Sequence, residues 1–535
     1  MKKVEVDDIL EYASLGIWNF KIIIIIILSS TTQSITTIFY PIIYGELQFT
    51  CADDLTNMTI IDECKYYSGN NTAEEISCGN FRYHPSDDFM DTARSKFDLV
   101  CNRNSLPNFD ISIIMLSQMF ATTICTSLCD YFGRRPVFVL CLFINTVSSI
   151  LYLFLPNVYL MFIVRFFDGA AMMGACVSGF MLLIECVYCK YRIVFITLWT
   201  MFYGIGMFLS GLASSLIPYW KEFVICRMII PNIVLFSFSY FLIDESPKWL
   251  LQNDQFKKFK NVIKKLFDQN RTKMPQVVEI ELTRMQNEAS ASSKMGSTST
   301  NRSVKFWLLY RTPKTAMWMI IFAISWCANV LVYFGLVFGK DLFNLDLHVW
   351  LMLSGLVEIP GMILQIFIAA RYGRRAANII CMLGCTGTLL MSTFTPTNGY
   401  WMYLIYFSAC ASKLFITATF GNIYVWNGEV MPTNLRAVGV GAGSFIGRLS
   451  GVPMKYVQDY LIRLWHPLPV ILFATISFIA GVSSFFVPET LNELIPDNIE
   501  EYEAFGTEKF KKLKAVRQDL LRGKFNETAE KEITV

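Results

Sequence analysis

The sequence predicts an all-α membrane protein, with twelve transmembrane helices in two six-helix bundles and a large extracellular loop after the first helix. Three observations predict this fold: an apolar composition, twelve apolar stretches of spanning length, and motifs that recur in the two halves. Of the 535 residues 54% are hydrophobic, and mean hydropathy is +0.42. Because only 17% of the residues are charged, against roughly 25% in soluble domains, a soluble fold would expose large apolar surfaces.

The twelve stretches follow from the thickness of the bilayer, since a helix needs about 20 largely apolar residues to cross it. The predicted spans are 22–44, 109–129, 137–155, 158–184, 193–217, 223–243, 316–338, 349–370, 376–394, 400–425, 437–457 and 469–487. The isoleucine run 22–27 has strand propensity. It lies within a stretch long enough to cross as a helix, in which all backbone groups pair internally.

The distribution of basic residues predicts the orientation. Short loops after even-numbered spans are rich in Lys and Arg, whereas those after odd-numbered spans are poor in them. The positive-inside rule then places both termini in the cytoplasm, and the first apolar run lacks a signal-peptide cleavage site. The predicted domains are a cytoplasmic N-terminus (1–21), a first half (22–244), a cytoplasmic linker (245–315), a second half (316–487) and a cytoplasmic tail (488–535).

The loop 46–107 combines four cysteines with two glycosylation sequons. Such a combination is typical of an oxidising, extracellular environment. We therefore expect two disulfide bonds, with the pairing left open, and glycosylation at the two sequons. The residues are Cys51, Cys64, Cys78, Cys101, Asn57 and Asn70.

The composition argues against an enzyme or a nucleic-acid-binding protein. The three histidines, His84, His348 and His466, are too scattered for a clustered metal site or a Ser-His-Asp centre. The net charge of +3 comes without a basic stripe that would indicate nucleic acid. We expect no metal and no cofactor, with any coupling ion left open.

Three motifs recur in the two halves. Gly133-Arg-Arg135 returns 240 positions later as Gly373-Arg-Arg375. Two further elements, each containing a glutamate at a predicted cytoplasmic helix end, return 244 positions later. Recurrence in the same order predicts two parallel halves, as in transporters that rock one bundle against the other.

Opposite charges cluster at these predicted cytoplasmic ends. We expect them to form a ring of ion pairs that clasps the two halves in the outward-facing state, the alternative being that the arginines only set topology. The residues are Asp130, Arg134, Arg135, Glu185, Arg192, Glu245, Arg374, Arg375, Glu429, Arg436 and Glu489.

Two charges lie near the predicted membrane midplane. Glu358 is about 20 Å by helical rise from the basic end of the eighth span, and Arg448 is about 18 Å from the basic end of the eleventh. Each costs roughly 2.5–3.5 kcal/mol to insert, so each needs an explanation. They either pair with each other or line a polar cavity, and a ligand-binding role is favoured over a purely structural pair.

Further candidates lie in the same half. Trp326 and Tyr333 stand seven residues apart and share one helical face, where aromatic rings can hold a quaternary ammonium group. Lys413 in the tenth span is a secondary candidate.

In the first half Arg165 and Asp168 stand at i, i+3 and can neutralise each other, with either a structural or a gating role.

The chain resembles the organic cation, anion and carnitine transporters of the major facilitator superfamily. The resemblance covers most of the length, in motifs such as Asp130-Tyr-Phe-Gly-Arg-Arg-Pro136, Val357-Glu-Ile-Pro-Gly361 and Asn427-Gly-Glu-Val-Met-Pro432. It implies the major facilitator fold and transport by alternating access. The presence of Glu358 together with Arg448 is most similar to the carnitine and zwitterion group.

The chain departs from this pattern at several positions. Its loop has four cysteines where six are usual, Asp168 stands where a neutral amide is common, and Ala370 replaces an acidic residue in the second copy of the loop motif.

The resulting expectation is a plasma-membrane transporter of small organic cations or zwitterions, with the organic ion and the lipid bilayer as its partners. The alternatives are an organic anion carrier that uses Arg448 and Lys413, or a receptor-like homologue that no longer transports. The C-terminal residues 533–535, Ile-Thr-Val, end in a hydrophobic residue and are weakly compatible with a PDZ groove.

Overall fold

The computed structural model describes most of the chain. The described residues are 6–13, 15–52, 59–62, 64–67, 75–86, 89–280, 282–284, 310, 312–343, 345–396, 398–432, 435–491, 493, 496, 499–510, 512 and 515. The sequons at Asn57 and Asn70, the C-terminal residues 533–535 and much of the predicted linker lie outside them.

The chain divides into two compact units. Unit 1 comprises Met1–Thr298, Val337–Leu356 and Val452–Tyr460, and unit 2 comprises Ser299–Leu336, Val357–Gly451 and Leu461–Val535.

Helices account for most of the described structure. The first half of the chain contains α1 (Val6–Ala13), α2 (Ile17–Ile43), α3 (Ala93–Lys96), α4 (Leu106–Phe132), α5 (Arg134–Phe154), α6 (Val158–Cys186), α7 (Cys189–Leu216), α8 (Trp220–Val224), α9 (Ile230–Leu242), α10 (Pro247–Gln252) and α11 (Phe256–Asn270). The second half contains α12 (Pro313–Val337), α13 (Leu347–Tyr372), α14 (Arg374–Phe394), α15 (Trp401–Val430), α16 (Arg436–Gly451), α17 (Met454–Leu464), α18 (Leu468–Ser483) and α19 (Ile499–Ala504).

Eleven helices among the described residues are long and apolar enough to cross a membrane. Large hydrophobic side chains such as Phe241 and Phe394 are more than 70% exposed on them, which suits a surface that faces lipid rather than water. The isoleucine run 22–27 lies within α2, as predicted.

The predicted eleventh span, 437–457, is interrupted. Its residues belong to α16 and α17, which are separated by a turn at Val452 and Pro453. Proline lacks a backbone N–H and its ring clashes with the preceding turn of a helix, and the glycines at 439, 441, 443, 447 and 451 lower helix propensity. The expectation of one continuous helix at this place was therefore wrong.

Helices α8 and α9 are joined by a π-helical turn, Ile225–Ile229. Pro231 follows two residues after this turn, as the second residue of α9. Because proline cannot donate to the carbonyl four residues earlier, the hydrogen-bond ladder widens there instead of ending. The predicted sixth span thus forms one helical stretch, Trp220–Leu242, which is long and apolar enough to cross a membrane.

Among its described residues, the segment between α2 and α4 contains five short strands and two disulfides. Strand β1 (Gln48–Cys51) pairs with β5 (Phe81–His84) in antiparallel register. A second antiparallel sheet has the order β2 (Thr59–Asp62), β3 (Lys65–Tyr67) and β4 (Glu75–Ser77). The disulfides join Cys51 to Cys78 and Cys64 to Cys101, which supplies the pairing that the sequence left open.

Candidate functional site

A buried ion pair joins α13 and α15 within unit 2. Lys413 Nζ lies 3.2 Å from Glu358 Oε1, and the two side chains are 0% and 3% exposed. Tyr333 of α12 donates its hydroxyl hydrogen bond to the same carboxylate, and its ring centroid is 3.2 Å from Lys413 Nζ. Three predicted residues therefore form one cluster, in which the secondary candidate Lys413 is the direct partner of Glu358.

Close packing of α13 on α15 brings this pair together. Gly361 lies almost one turn after Glu358, and a Cβ there would stand 3.0 Å from the carbonyl oxygen of Leu414 and 3.3 Å from the side chain of Thr417. A glycine at such a contact lets two membrane helices approach closely. The close packing of the two helices allows the Lys413 ammonium group to reach the Glu358 carboxylate.

Arg448 of α16 lies apart from the pair. It is 8% exposed, its Nη1 is 3.4 Å from the carbonyl oxygen of Ser444, and it also contacts the Ser444 hydroxyl. Glu358 forms its ion pair with Lys413, and none joins it to Arg448 within the described part of the chain. Of the two arrangements that the sequence left open, the direct pair is not formed.

Aromatic rings surround the cluster. The ring of Trp326, which is fully buried, lies 4.6 Å from that of Tyr424 and 6.2 Å from that of Phe420. Tyr333 lies 5.3 Å from the same Phe420 ring. Phe420 and Tyr424 were not predicted, although they follow Lys413 by seven and eleven positions. That spacing places all three on one face of α15 and would have identified them.

Gly443 of α16 packs directly on Trp326. A Cβ at this position would lie 2.5 Å from Trp326 Nε1 and 3.2 Å from Asn427 Nδ2. In the part of the chain that the structure describes, neither of these nitrogens has a hydrogen-bond partner. Leaving a buried donor unsatisfied costs about 1–3 kcal/mol, so both are suited to a hydrogen-bond acceptor on a ligand. Asn427 belongs to the motif Asn427-Gly-Glu-Val-Met-Pro432, and its spacing in the sequence does not indicate a binding role.

Three carboxylates contact the first Gly-Arg-Arg turn. Arg134 Nη2 lies 3.1 Å from Glu185 Oε1, and Arg134 Nη1 lies 3.3 Å from Asp130 Oδ1. Glu245 Oε1 accepts the backbone N–H groups of Arg134 and Arg135 at 3.0 and 3.2 Å. Burial raises the pKa of Glu245 above its ordinary value, and these backbone donors oppose that rise.

The second turn repeats this geometry. Arg374 Nε lies 3.1 Å from Glu429 Oε2. Glu489 accepts the backbone N–H groups of Arg374 at 2.7 Å and Arg375 at 3.1 Å. Thr490 adds a hydroxyl that donates to Glu429 at 2.5 Å.

The remaining two arginines differ from the predicted pairing. Arg192 bonds Asp7 of α1 at 2.5 Å and the carbonyl oxygen of Val187 at 3.0 Å. Arg436 packs its side-chain carbons near Gly428, and its Nε and Nη2 are buried without a hydrogen-bond partner among the described residues. The ion pairs of both turns join residues of the same unit, and the predicted clasp between the halves stays a prediction.

Comparisons with known proteins agree with this architecture. The family model of the Major Facilitator Superfamily matches residues 22–454. An organic cation transporter protein of Drosophila melanogaster is 29% identical, with 83% of this chain and 82% of that protein aligned. Solute carrier family 22 member 3 of Mus musculus is 27% identical, over 82% and 76% of the two chains.

Solved structures show the same fold. The proton:xylose symporter XylE, bound to 6-bromo-6-deoxy-D-glucose, superposes with a TM-score of 0.59 at 14% identity, covering 90% of this chain and 98% of that one.

Fold and relatives together define a multi-pass membrane protein of the secondary transporter class, not an enzyme. Within that class, the chain belongs to the Major Facilitator Superfamily. It is similar to transporters named for organic cations.

Proposed function

We propose that this protein carries small zwitterions or organic cations across the plasma membrane by alternating access. The observation that carries the proposal is the buried cluster of Glu358, Lys413 and Tyr333. A buried charge is costly to keep in a membrane protein and is usually functional. Relatives named as organic cation transporters support the substrate class.

The presence of both acidic and basic buried side chains in unit 2 favours a zwitterion over a simple cation. Glu358 is already paired with Lys413, while Arg448 adds a second basic side chain to the same unit. A guanidinium binds a carboxylate through two parallel hydrogen bonds, so we place the substrate carboxylate at Arg448. The substrate ammonium would compete with Lys413 for Glu358 and rest against the aromatic faces, which attract cations by about 0.5–2 kcal/mol.

The position of Arg448 fits this division of roles. It follows Gly447, where a Cβ would lie 3.0 Å from the Trp326 carbonyl oxygen. The guanidinium therefore belongs to the helix that packs against the aromatic residues. We expect a zwitterion to place its ammonium group at Glu358 and its carboxylate at Arg448.

Uptake by charge class tests the proposal. Cells expressing the chain are given labelled carnitine, tetraethylammonium and an aryl carboxylate. We expect Arg448→Ser to lower carnitine uptake about 10-fold or more, as for the loss of a charged hydrogen bond of roughly 1.5–3 kcal/mol, with little change for tetraethylammonium. Arg448→Asp should shift preference further toward the cation.

The controls separate the alternatives. Arg463, exposed on α17, gives the matched variant Arg463→Ser, which should leave all three uptakes unchanged. Glu358→Gln should lower uptake of both carnitine and tetraethylammonium. An organic anion carrier is favoured instead if only the aryl carboxylate is taken up and both Arg448→Ser and Lys413→Met abolish it. A receptor-like homologue would accumulate none of the three.

The orientation belongs to the same proposal. We infer that both termini are cytoplasmic and that the disulfide-bonded segment between α2 and α4 is extracellular and glycosylated. Glycosidase treatment of the wild-type chain should increase its electrophoretic mobility, and the double variant Asn57→Gln, Asn70→Gln should abolish that change. A wild-type chain whose mobility is unaffected would contradict this placement.

A further inference from the structure

A second buried charge cluster lies in unit 1, away from the residues assigned to the substrate. Asp110 of α4 and Arg165 and Asp168 of α6 are each 0% exposed. Arg165 Nε lies 3.0 Å from Asp110 Oδ2, and Arg165 Nη1 lies 3.3 Å from Asp168 Oδ2. The Arg165–Asp168 pair predicted from sequence is thus confirmed. Asp110, which the sequence did not single out, adds a second carboxylate.

The cluster has more negative than positive charge. Among the residues that the structure describes, Arg165 is the only basic side chain within ion-pair distance of Asp110 or Asp168. Its third nitrogen, Nη2, donates to the carbonyl oxygen of Thr36 at 2.6 Å, and the ring of Phe39 covers the guanidinium at 4.6 Å. Two carboxylates therefore share one guanidinium, which leaves one negative charge uncompensated if both are ionised.

The other titratable groups around the cluster are neutral tyrosines. Tyr152 of α5 donates to Asp168 Oδ2 at 3.1 Å. From α2, Tyr44 donates to the sulfur of Met161 at 3.6 Å, and Tyr40 donates to Asn108 Oδ1 at 2.7 Å. These hydroxyls supply hydrogen bonds but no positive charge.

An uncompensated charge in a fully buried site is unfavourable, and such a group commonly takes up a proton instead. The outer oxygens, Asp110 Oδ1 and Asp168 Oδ1, are buried and accept no hydrogen bond from any described residue. A metal ion would have to lie beside the guanidinium, which repels it. A proton needs no additional space and removes the excess charge.

We propose that the Asp110–Arg165–Asp168 cluster is a proton-binding site that couples transport to the movement of one proton. The proton enters from water, forms an O–H bond with a carboxylate oxygen, and leaves to water on the other side, so that no other reactant is needed. Asp110 holds it, because among the described residues Asp110 accepts a hydrogen bond only from Arg165, whereas Asp168 accepts from both Arg165 and Tyr152.

Binding of the proton changes the strength of the hydrogen bonds that link the helices of unit 1. Arg165 connects α6 to α4 through Asp110 and to α2 through Thr36. Hydrogen bonds between ionised partners are about twice as strong as neutral ones. Protonation of Asp110 therefore weakens the link between α4 and α6 while the contact with α2 persists, and helix packing in unit 1 responds to proton occupancy.

Infrared difference spectroscopy on the purified full-length chain tests the site without any transport. We expect a protonated carboxyl band in the wild type that shifts in D2O and disappears as the pH is raised. Asp110→Asn and Asp168→Asn should each remove the band, since either one leaves a balanced pair. Asp459, which accepts from Asn108 at 2.6 Å, gives the control variant Asp459→Asn, which should keep it. Absence of the band from the wild type, or its persistence in both cluster variants, would overturn the proton site.

A transport assay tests the coupling, and this part rests on the proposed function. In proteoliposomes, an imposed pH gradient should drive accumulation of labelled carnitine by the wild type. For Asp168→Asn we expect the ratio of gradient-driven accumulation to substrate exchange to fall at least 10-fold. Accumulation driven by sodium and indifferent to pH would refute proton coupling. Absence of any transport by the wild type would refute the proposed function, while the infrared result would still decide the proton site.

Discussion

The two Gly-Arg-Arg turns have the same backbone contacts but different side-chain environments. In both turns a glutamate from a distant segment accepts the two arginine backbone N–H groups. In the first, the Arg134 and Glu185 side chains are 8% and 13% exposed, whereas Arg374 and Glu429 in the second are 24% and 22% exposed. The comparison indicates that the contact between carboxylate and backbone is the common feature of the two turns. The burial of the arginine–glutamate pair, in contrast, differs between the halves.

The first turn also has more partners. Asp130 pairs with Arg134, while the corresponding position in the second copy is Ala370. Arg192 also pairs with Asp7 on helix α1, which precedes the first half. Among the described residues, the first turn therefore has more ion pairs around it than the second. Variants at the first turn should lower the stability of the protein more than the matching variants at the second.

Adding a methyl group to either turn glycine should have the largest effect. Gly133 and Gly373 have φ angles of +111° and +98°, and a Cβ would lie 2.3 Å from atoms of the Glu245 and Glu489 carboxylates. Backbone strain there costs about 1–3 kcal/mol, and the displaced carboxylate adds to it. We expect Gly133→Ala and Gly373→Ala to lower thermal stability in detergent strongly, as measured by loss of the monodisperse peak after heating.

Gly387 supplies the matched control for these variants. It lies within α14, and a Cβ there would meet nothing within 4 Å. Gly387→Ala should leave the melting temperature unchanged or raise it slightly, since alanine has the higher helix propensity. A stable Gly133→Ala protein would show that the carboxylate contact can be dispensed with.

Removing the arginine charge should have an intermediate effect that differs between the turns. Arg134→Gln leaves Glu185 largely buried without its cation, at a cost of about 2–3 kcal/mol. Arg374→Gln should cost about 1 kcal/mol or less, because its more exposed pair is screened by solvent. Melting temperatures of the two purified variants, with Arg463→Gln as the exposed control, check the order. Equal losses would contradict the proposed difference between the turns.

The sequence predicted the membrane class, the ends of most helices and the repeat, because span length and charge placement are local properties. It also identified Glu358 and Lys413, since charged residues within apolar stretches are conspicuous, and Tyr333 by its spacing from Trp326. It did not show that Lys413, not Arg448, pairs with Glu358, because that choice depends on how closely α13 approaches α15 at Gly361. Asp110 was missed because it is the second residue of the predicted span 109–129, where a charge is ordinary for a helix end, and because its partner is 55 residues away.

The exposed carboxylate of the first turn should have the smallest effect. Asp130 is 70% exposed and pairs with Arg134 at i, i+4, a type of pair worth about 0.3–0.5 kcal/mol. It also lies in the last turn of α4, where the helix dipole disfavours a negative charge. Asp130→Ala should lower the melting temperature slightly, and Ala370→Asp should raise it by a similar amount by giving Arg374 the missing partner. Both shifts should vanish in high salt, which screens exposed charges. A loss for Asp130→Ala that exceeds that of Arg134→Gln, or that persists in high salt, would mean that Asp130 has a role beyond this ion pair.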